Sequence, residues 1–196
     1  MSESEHTFLF ADLVGFTALT DAEGDERAAA VGVALQRRVQ AVAADHQAEV
    51  VKGMGDAAMV RCSDPANAVR LALRLVEEVD SDPALPPIRV GVHGGTAVSH
   101  DGDWYGRAVN VASRLCSVAA GGEVLVSEST LAAASELSRV TVGERRLHWL
   151  KNVTKPVAAR TTEHARRGGR LAGLIEAIPR PFPPGLGGHA AAGGAR

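Results

Sequence analysis

With 196 residues, 45% hydrophobic content and a formal net charge of −2, the chain can bury one sizeable core and has no overall basic character. The charge is uneven, because segment 164–196 holds five arginines against one glutamate and leaves about −6 on residues 1–163. An acidic main body argues against a nucleic-acid-binding protein, which would carry a basic face.

The cysteines and the N-terminus indicate the compartment. Cys62 and Cys116 are isolated and lack CxxC spacing, which is typical of reduced thiols and not of a disulfide framework or a metal site. The N-terminal sequence MSESEHTFLF has no basic residues before its apolar run, and no stretch reaches the length of a membrane-spanning helix. We therefore expect a cytoplasmic protein that neither enters nor crosses a membrane.

The first half of the chain predicts a strand, a long helix, a hairpin and a second helix. The apolar run TFLFA, residues 7–11, is typical of a buried strand, and VV with AAMV around a glycine turn predicts a β-hairpin. Asp64 and Pro65 fit the N-cap and first position of a helix that ends near Asp80. Apolar residues at helical spacing predict the long helix before the hairpin: Val31, Leu35, Val39 and Val42.

The second half predicts mainly strands around one further helix. In IRVGVHGG, residues 88–95, apolar residues alternate as in a half-buried strand, and TAVS, residues 96–99, is its expected hairpin partner. RAVNVASRLCSVAA predicts a helix and EVLVS a short strand, while VTVGERRLHWL and PVAARTTEH predict a closing strand pair. From Gly168 onward Gly, Pro and Ala dominate, so we expect a disordered tail in which LAGLIEAI could form a short docking helix.

This order of elements predicts an α+β fold with a ferredoxin-like βαββαβ core, additional αβ elements, and helices on one face of a mainly antiparallel sheet. The expected domains are a folded domain, 1–163, and a basic Gly/Pro/Ala-rich tail, 164–196. In a ferredoxin-like core the first and third strands are antiparallel neighbours. Asp12, at the end of the first, and Asp56, before the third, would then lie side by side.

The corner at Asp12 has the chemistry of a phosphate and metal site. Backbone N–H groups of the turn Val14-Gly15-Phe16-Thr17 at a helix start form an anion cradle. Two neighbouring carboxylates are what Mg²⁺ bound to phosphates takes from a protein. Either aspartate alone would equally fit a turn or a helix cap, so the prediction depends on the pair.

A second polar group lies on the predicted helix that begins near Arg107. Asn110 and Arg114 are four residues apart and so share one helix face. An amide and a guanidinium projecting together suit a sugar oxygen and a phosphoryl group that gains negative charge. The alternative to a functional role is that this segment is a solvated polar stripe of the helix. Asp103, in the loop before the helix, could equally be a solvated polar residue without a functional role.

Three segments, FADLVGFTALT, VKGMGDAAMV and VGVHGGTAVSHDGDWYGRAVNVASRL, occur in this order and resemble the catalytic domain of class III nucleotidyl cyclases of the single-domain bacterial adenylyl cyclase type, over roughly residues 6–163. The resemblance implies two divalent cations per site, Mg²⁺ or Mn²⁺, and a head-to-tail homodimer with two composite sites. It also implies that Lys52 and Asp56 serve opposite sites, although they are close in sequence. The matching positions are Asp12, Leu13 and Asp56 for metal, Lys52 and Asp103 for the base, Asn110 and Arg114 for the transition state, and Gly15, Phe16, Thr17 and Lys151 for the rest of the substrate.

The base can be chosen from hydrogen-bond polarity. Adenine presents an acceptor at N1 and a donor at N6, which match Lys52 as donor and Asp103 as acceptor. Guanine presents the opposite polarity, and leaving two charged groups mismatched would cost several kcal/mol. The expected reaction is attack of the ribose 3′-hydroxyl of ATP on the α-phosphorus, giving 3′,5′-cyclic AMP and pyrophosphate.

Three other interpretations compete with this one. A dinucleotide cyclase is disfavoured because GMGDA lacks the Glu of a GGDEF loop. A catalytically weak or inactive cyclase-like domain that binds nucleotide as a regulator is disfavoured because every catalytic role is filled. A ferredoxin-like nucleic-acid binder is disfavoured because the main body is acidic and shows no strand face that is both aromatic and basic.

Overall fold

The computed structural model describes residues 3–165, and the sequence-predicted tail lies, from residue 166 onward, outside the described residues. The elements in chain order are β1 (Glu3–Leu13), α1 (Phe16–Glu23), α2 (Asp25–Asp45), β2 (Glu49–Gly53), β3 (Ala57–Cys62), α3 (Pro65–Asp80), β4 (Ile88–His100), β5 (Asp103–Tyr105), α4 (Arg107–Val118), β6 (Val124–Ser127), α5 (Glu128–Ala133), β7 (Val140–Val142), β8 (Arg146–His148) and β9 (Val157–His164). Among residues 3–165 no helix has both the length and the apolar character needed to cross a bilayer.

The strands form a single sheet in the order β2-β3-β1-β4-β6-β9-β7, with β5 paired to β4 and β8 paired to β9. Its first four strands, with α2 and α3 as crossovers, are the βαββαβ core, and β4–β6 is a parallel pair in an otherwise antiparallel sheet. The predicted α+β class and ferredoxin-like core are confirmed.

Helices α2 and α3 cover one face of the sheet, which we call the helix face. The four apolar residues predicted for the long helix are buried there with alternate residues of the strands. Asp64 caps α3 as predicted, since its Oδ1 accepts a hydrogen bond from the backbone N–H of Ala66 at 3.0 Å, and α3 ends at Asp80. Local sequence signals therefore account for this half of the core.

The expectation that the helices share one face is wrong for α4, which packs on the opposite face. There Ala108 and Ala112 of α4 contact Phe8 and Met59, and we call this the site face. The close approach needs Gly91 in β4, because a Cβ atom there would lie 2.1 Å from the backbone nitrogen of Cys116.

The predicted hairpin between residues 88–95 and TAVS is also wrong. Strand β4 continues from Ile88 to His100, and its hairpin partner is the short strand β5. Gly94 and Gly95 do not end the strand, since both pair with β1. Glycine fits there because a Cβ atom would crowd Thr7 at position 94 and Ala108 at position 95. The β4–β5 hairpin brings Asp103 back to the sheet, where it contacts Lys52.

Candidate active site

The structure brings Asp12 and Asp56 together at one end of the β1–β3 ladder. Asp12 is paired with Ala57, the residue that follows Asp56, and the backbone N–H of Leu13 donates to the carbonyl of Asp56 at 2.9 Å. Leu13 is only 2% exposed, so its side chain belongs to the core and only its main-chain carbonyl could serve a metal.

Arg89, which the sequence reasoning missed, forms an ion pair with Asp12. Its Nη2 lies 2.6 Å from Asp12 Oδ2, and its Nε donates to the same oxygen at 2.7 Å. The two residues are cross-strand partners in the β1–β4 ladder and share the site face. The pair places a guanidinium beside the Asp12 carboxylate.

A cavity of about 220 Å³ opens beside Asp12. Its walls include Met54 from the β2–β3 turn, Arg89 from β4, and Ser113 and Ser117 from α4. Neither Lys52 nor Asp103 lines it, and neither Asn110 nor Arg114 lines it among the described residues. Ligand pockets usually enclose about 300–1,000 Å³, so this cavity alone is small for a nucleoside triphosphate.

The predicted anion cradle lies at the N-terminus of α1. Gly15 precedes the helix with a left-handed φ of 77°, and no side chain caps the helix. Backbone N–H groups of the first turn, which includes Phe16 and Thr17, therefore have no intrahelical partner and remain available to an anion. Phe16 itself packs against the core of the helix face.

Lys52 and Asp103 meet although 51 residues separate them in the sequence. Lys52 Nζ donates to Asp103 Oδ2 at 2.5 Å, and the backbone N–H of Trp104 donates to Asp103 Oδ1 at 2.8 Å. The bond from Lys52 and then the bond from Trp104 lower the pKa of the Asp103 carboxyl, which keeps it ionised at neutral pH. The ion-pair partner of Lys52 is thus Asp103 and not Asp56, which is closer in sequence.

Trp104 holds strand β5 in place. Its ring lies 4.5 Å from the His6 ring and 5.8 Å from the Phe8 ring, measured between centroids, and the Arg61 guanidinium lies 5.2 Å from its centre. Tyr105 beside it is 55% exposed. Packing of one aromatic residue thus positions the Asp103 carboxylate opposite Lys52.

Asn110 and Arg114 lie on α4 as predicted, one turn apart. Asn110 is exposed and Arg114 is half-buried, whereas Ala108 and Ala112 of the same helix pack against the sheet. Ser113 and Ser117 of α4 line the cavity at Asp12, whereas Asn110 and Arg114 are not among its lining residues.

Lys151 is exposed in the connection between β8 and β9, and the structure does not bring it to the cavity. The following residue, Asn152, has a φ of 63°, a left-handed conformation that Asn tolerates and Gly adopts freely.

The donor set at Asp12 and Asp56 fits a cation that is shared with substrate. Within residues 3–165 no group of three or more His, Cys, Asp or Glu residues could hold a metal ion by itself. Mg²⁺ usually keeps several waters and is held by one or two carboxylates together with substrate phosphates. Asp12 and Asp56, whose backbones are adjacent, are residue types that meet that requirement.

Two contributions to the site were not predicted, and only one of them had a readable signal. Arg89 lies between the buried residues Ile88 and Val90, and this alternation indicates that its side chain is on the opposite face of the strand from theirs, whereas its register against Asp12 is seen only in the structure. Gln36 of α2, which donates to Gly55 and Ala57 on either side of Asp56, had no such signal, because its contact depends on how a helix packs over a turn.

Comparison with known proteins shows the family of the chain. Residues 2–154 match the family model of the adenylate and guanylate cyclase catalytic domain. The chain is 46% identical over 126 residues to the pH-sensitive adenylate cyclase MT1302 of Mycobacterium tuberculosis, covering 63% of this chain and 31% of that protein. It is 38% identical over 117 residues to an adenylate cyclase of Streptomyces griseus, covering 60% of this chain and 29% of that protein.

The fold also matches a solved structure. The adenylyl cyclase CyaB from P. aeruginosa superposes with a TM-score of 0.73 at 22% identity, covering 85% of this chain and 97% of that one. At this identity the match establishes the fold alone. The chain spans about a third of the length of the relatives named above. On the family match over residues 2–154, the chain belongs to the adenylate and guanylate cyclase catalytic domain family.

Proposed function

We propose that residues 1–163 form the catalytic domain of an adenylyl cyclase that converts ATP to 3′,5′-cyclic AMP and pyrophosphate. The observation that carries the proposal is the ion pair between Lys52 and Asp103. It offers an ammonium donor and a carboxylate acceptor side by side, which is the polarity that adenine requires at N1 and N6. The relatives named adenylate cyclase support the same substrate.

The remaining residues act on the ribose and the phosphates. Asn110 orients the ribose, and Arg114 faces the negative charge that develops on the α-phosphate during attack of the 3′-hydroxyl. Backbone N–H groups at Phe16 and Thr17 bind phosphate oxygens, and Lys151 contributes a further cation to the triphosphate. Because Asp103 stays ionised at neutral pH, base recognition does not depend on a proton near the working pH.

Asp12 and Asp56, with the main-chain carbonyl of Leu13, hold two divalent cations, Mg²⁺ or Mn²⁺. When bound, these cations lower the pKa of the 3′-hydroxyl and neutralise the β- and γ-phosphates. The Arg89 guanidinium balances the negative charge of the Asp12 carboxylate through their ion pair.

The active site is composite and forms between two copies in a head-to-tail homodimer. In one copy, the cavity at Asp12 is not lined by the residues proposed for base and ribose. Met54, between Lys52 and Asp56, is 41% exposed and Tyr105, beside Asp103, is 55% exposed, which suits a face that another chain covers. A second copy would supply Lys52, Asp103, Asn110 and Arg114 to the metal carboxylates of the first.

The activity is tested with the purified full chain, ATP or GTP, and Mn²⁺ or Mg²⁺, scored for cyclic nucleotide by chromatography. We expect cyclic AMP from ATP and little cyclic GMP from GTP. Nucleotide binding without cyclic product under all four conditions would overturn the proposal in favour of a nucleotide-binding regulatory domain.

The composite site is tested by mixing two variants, Lys52→Ala and Asp56→Ala, each expected to be inactive alone. In a mixed dimer both substitutions fall in one site and the other site is intact, so activity should return to about a quarter of the wild-type value when the chains exchange statistically. The control mixes Lys52→Ala with Asp103→Ala, which damages both sites. Failure of the first mixture despite demonstrated subunit exchange would place Lys52 and Asp56 in the same site.

A further inference from the structure

The turn at residues 53–57 follows Lys52, contains Asp56 and includes two glycines, Gly53 and Gly55. Gly55 has a φ of 72°, and the turn is closed by a hydrogen bond from the backbone N–H of Met54 to the carbonyl of Ala57 at 2.7 Å. Glycine-rich backbone has many accessible conformations, so a turn of this composition needs external contacts to fix one of them.

Gln36 of α2 supplies such contacts. Its Nε2 donates to the carbonyl of Gly55 at 3.3 Å and to the carbonyl of Ala57 at 2.9 Å. These are the carbonyls immediately before and after Asp56. One side-chain amide therefore holds the backbone on both sides of the carboxylate.

Helix α2 packs closely against the turn at two glycines, Gly32 and Gly53. A Cβ atom on Gly53 would lie 2.4 Å from Gln36 Oε1, and a Cβ atom on Gly32 would lie 3.1 Å from the carbonyl oxygen of Gly55. The backbone N–H of Leu13 holds the third carbonyl, that of Asp56 itself, at 2.9 Å. Asp56 is thus fixed from α2 on one side and from β1 on the other.

We propose that Gln36 is a positioning residue that sets the direction of the Asp56 carboxylate for cation binding. The inference rests on the proposed function, in which Asp56 holds a divalent cation. Gln36 does not touch the cation or the substrate. Groups that orient metal-binding carboxylates typically change metal affinity about 10- to 100-fold when removed.

The test compares Gln36→Met with Gln40→Met in the full chain. Methionine nearly preserves the length of glutamine but cannot donate a hydrogen bond. Gln40 lies one turn further along α2 and is exposed, so its replacement repeats the chemical change without the contacts to the turn. The probe is Mn²⁺ in the presence of ATP, with free Mn²⁺ measured by electron paramagnetic resonance.

We expect Gln36→Met to weaken Mn²⁺ binding about 10-fold or more, with Gln40→Met near wild type and all three melting temperatures similar. Cyclase activity of Gln36→Met should be restored by higher Mn²⁺, with an unchanged preference for ATP over GTP, because Lys52 and Asp103 remain in place. Equal Mn²⁺ affinity in Gln36→Met and Gln40→Met would overturn the inference. Wild-type protein that binds Mn²⁺ but makes no cyclic AMP would instead overturn the proposed function, and the comparison of affinities would still decide the role of Gln36.

Discussion

The two faces of the sheet differ in what they contain, although the same strands build both. On the helix face, β1 contributes Leu9 and Leu13 to a large aliphatic core under α2 and α3. On the site face, the same strand contributes Phe8 to a small cluster under α4 and, near its end, Asp12, which is ion-paired with Arg89.

This difference separates stability from chemistry within one strand. Successive side chains of a strand point to opposite faces, so residues one position apart in β1 belong to different functional classes. The helix face holds the larger buried apolar cluster, and burial of apolar surface favours folding. The site face can then hold partly exposed charges whose removal would cost little stability. Substitutions on the site face should therefore lower turnover with little loss of stability, and substitutions on the helix face should lower stability with little loss of turnover.

The largest effect is expected for Asp12→Asn on the site face. The variant keeps the shape of the side chain but loses the charge that would hold a cation, so cyclase turnover should fall about 100- to 1000-fold. The partly exposed ion pair with Arg89 should contribute about 1 kcal/mol or less to unfolding. Cyclic AMP production and urea unfolding measure the two quantities. Near-normal turnover at saturating Mn²⁺ would contradict the assignment of Asp12.

The opposite signature is expected for Leu9→Ala on the helix face. Leu9 is fully buried, and truncating such a residue should cost about 2–5 kcal/mol of unfolding free energy. Turnover per folded molecule, measured well below the melting temperature, should stay close to wild type. If Leu9→Ala instead lost turnover with little loss of stability, the separation between the faces would be wrong.

A smaller effect, on selectivity, is expected for Asp103→Asn. Replacing the carboxylate by an amide removes the charged acceptor proposed for adenine N6 and provides a donor that guanine O6 could accept, so the preference for ATP over GTP should fall about 100-fold. Asp101→Asn is the matched control, because Asp101 lies in the same turn with its side chain 88% exposed. An unchanged ratio of kcat/KM values for the two nucleotides in Asp103→Asn would contradict base recognition by this pair.

Much of the helix face could be predicted because its signals are local. Helical spacing of Val31, Leu35 and Val39 identified α2, and the Asp64-Pro65 cap located the start of α3. The run TFLFA is compatible with burial on both faces, since Phe8 and Phe10 point to one face of a strand and Leu9 and Ala11 to the other. That signal was compatible with a helix on the far side of the sheet, but the predicted fold assigned all helices to one face.

The site face was less predictable because its contacts join distant segments. Asp12 and Asp56 were expected to be adjacent from the strand order alone. The position of α4 depends on Gly91, and a lone glycine in a strand does not say which element approaches it. The roles of Arg89 and Gln36 depend on register and on helix packing, which a single sequence does not contain.

The smallest effect is expected for His93, whose side chain lies on the site face but takes no part in the proposed chemistry. Its Nδ1 shares a hydrogen bond with Ser127 Oγ at 2.7 Å, and burial, assisted by the charge of Arg107, lowers its pKa from 6.5 to about 4. The unfolded chain therefore binds a proton at higher pH than the folded chain does. Its contribution to stability is complete above about pH 6.5 and is lost as pH falls toward about 4.

Between pH 7 and pH 5 this histidine should remove about 1–2 kcal/mol from the free energy of unfolding. His93→Gln should lack that part of the acid sensitivity, whereas His100→Gln, at the far end of β4 with a side chain 63% exposed, should retain it. Urea unfolding at the two pH values measures the difference. Because His93 is neutral throughout this range, neither variant should shift the pH profile of kcat, and a shift confined to His93→Gln would assign His93 to the active site after all.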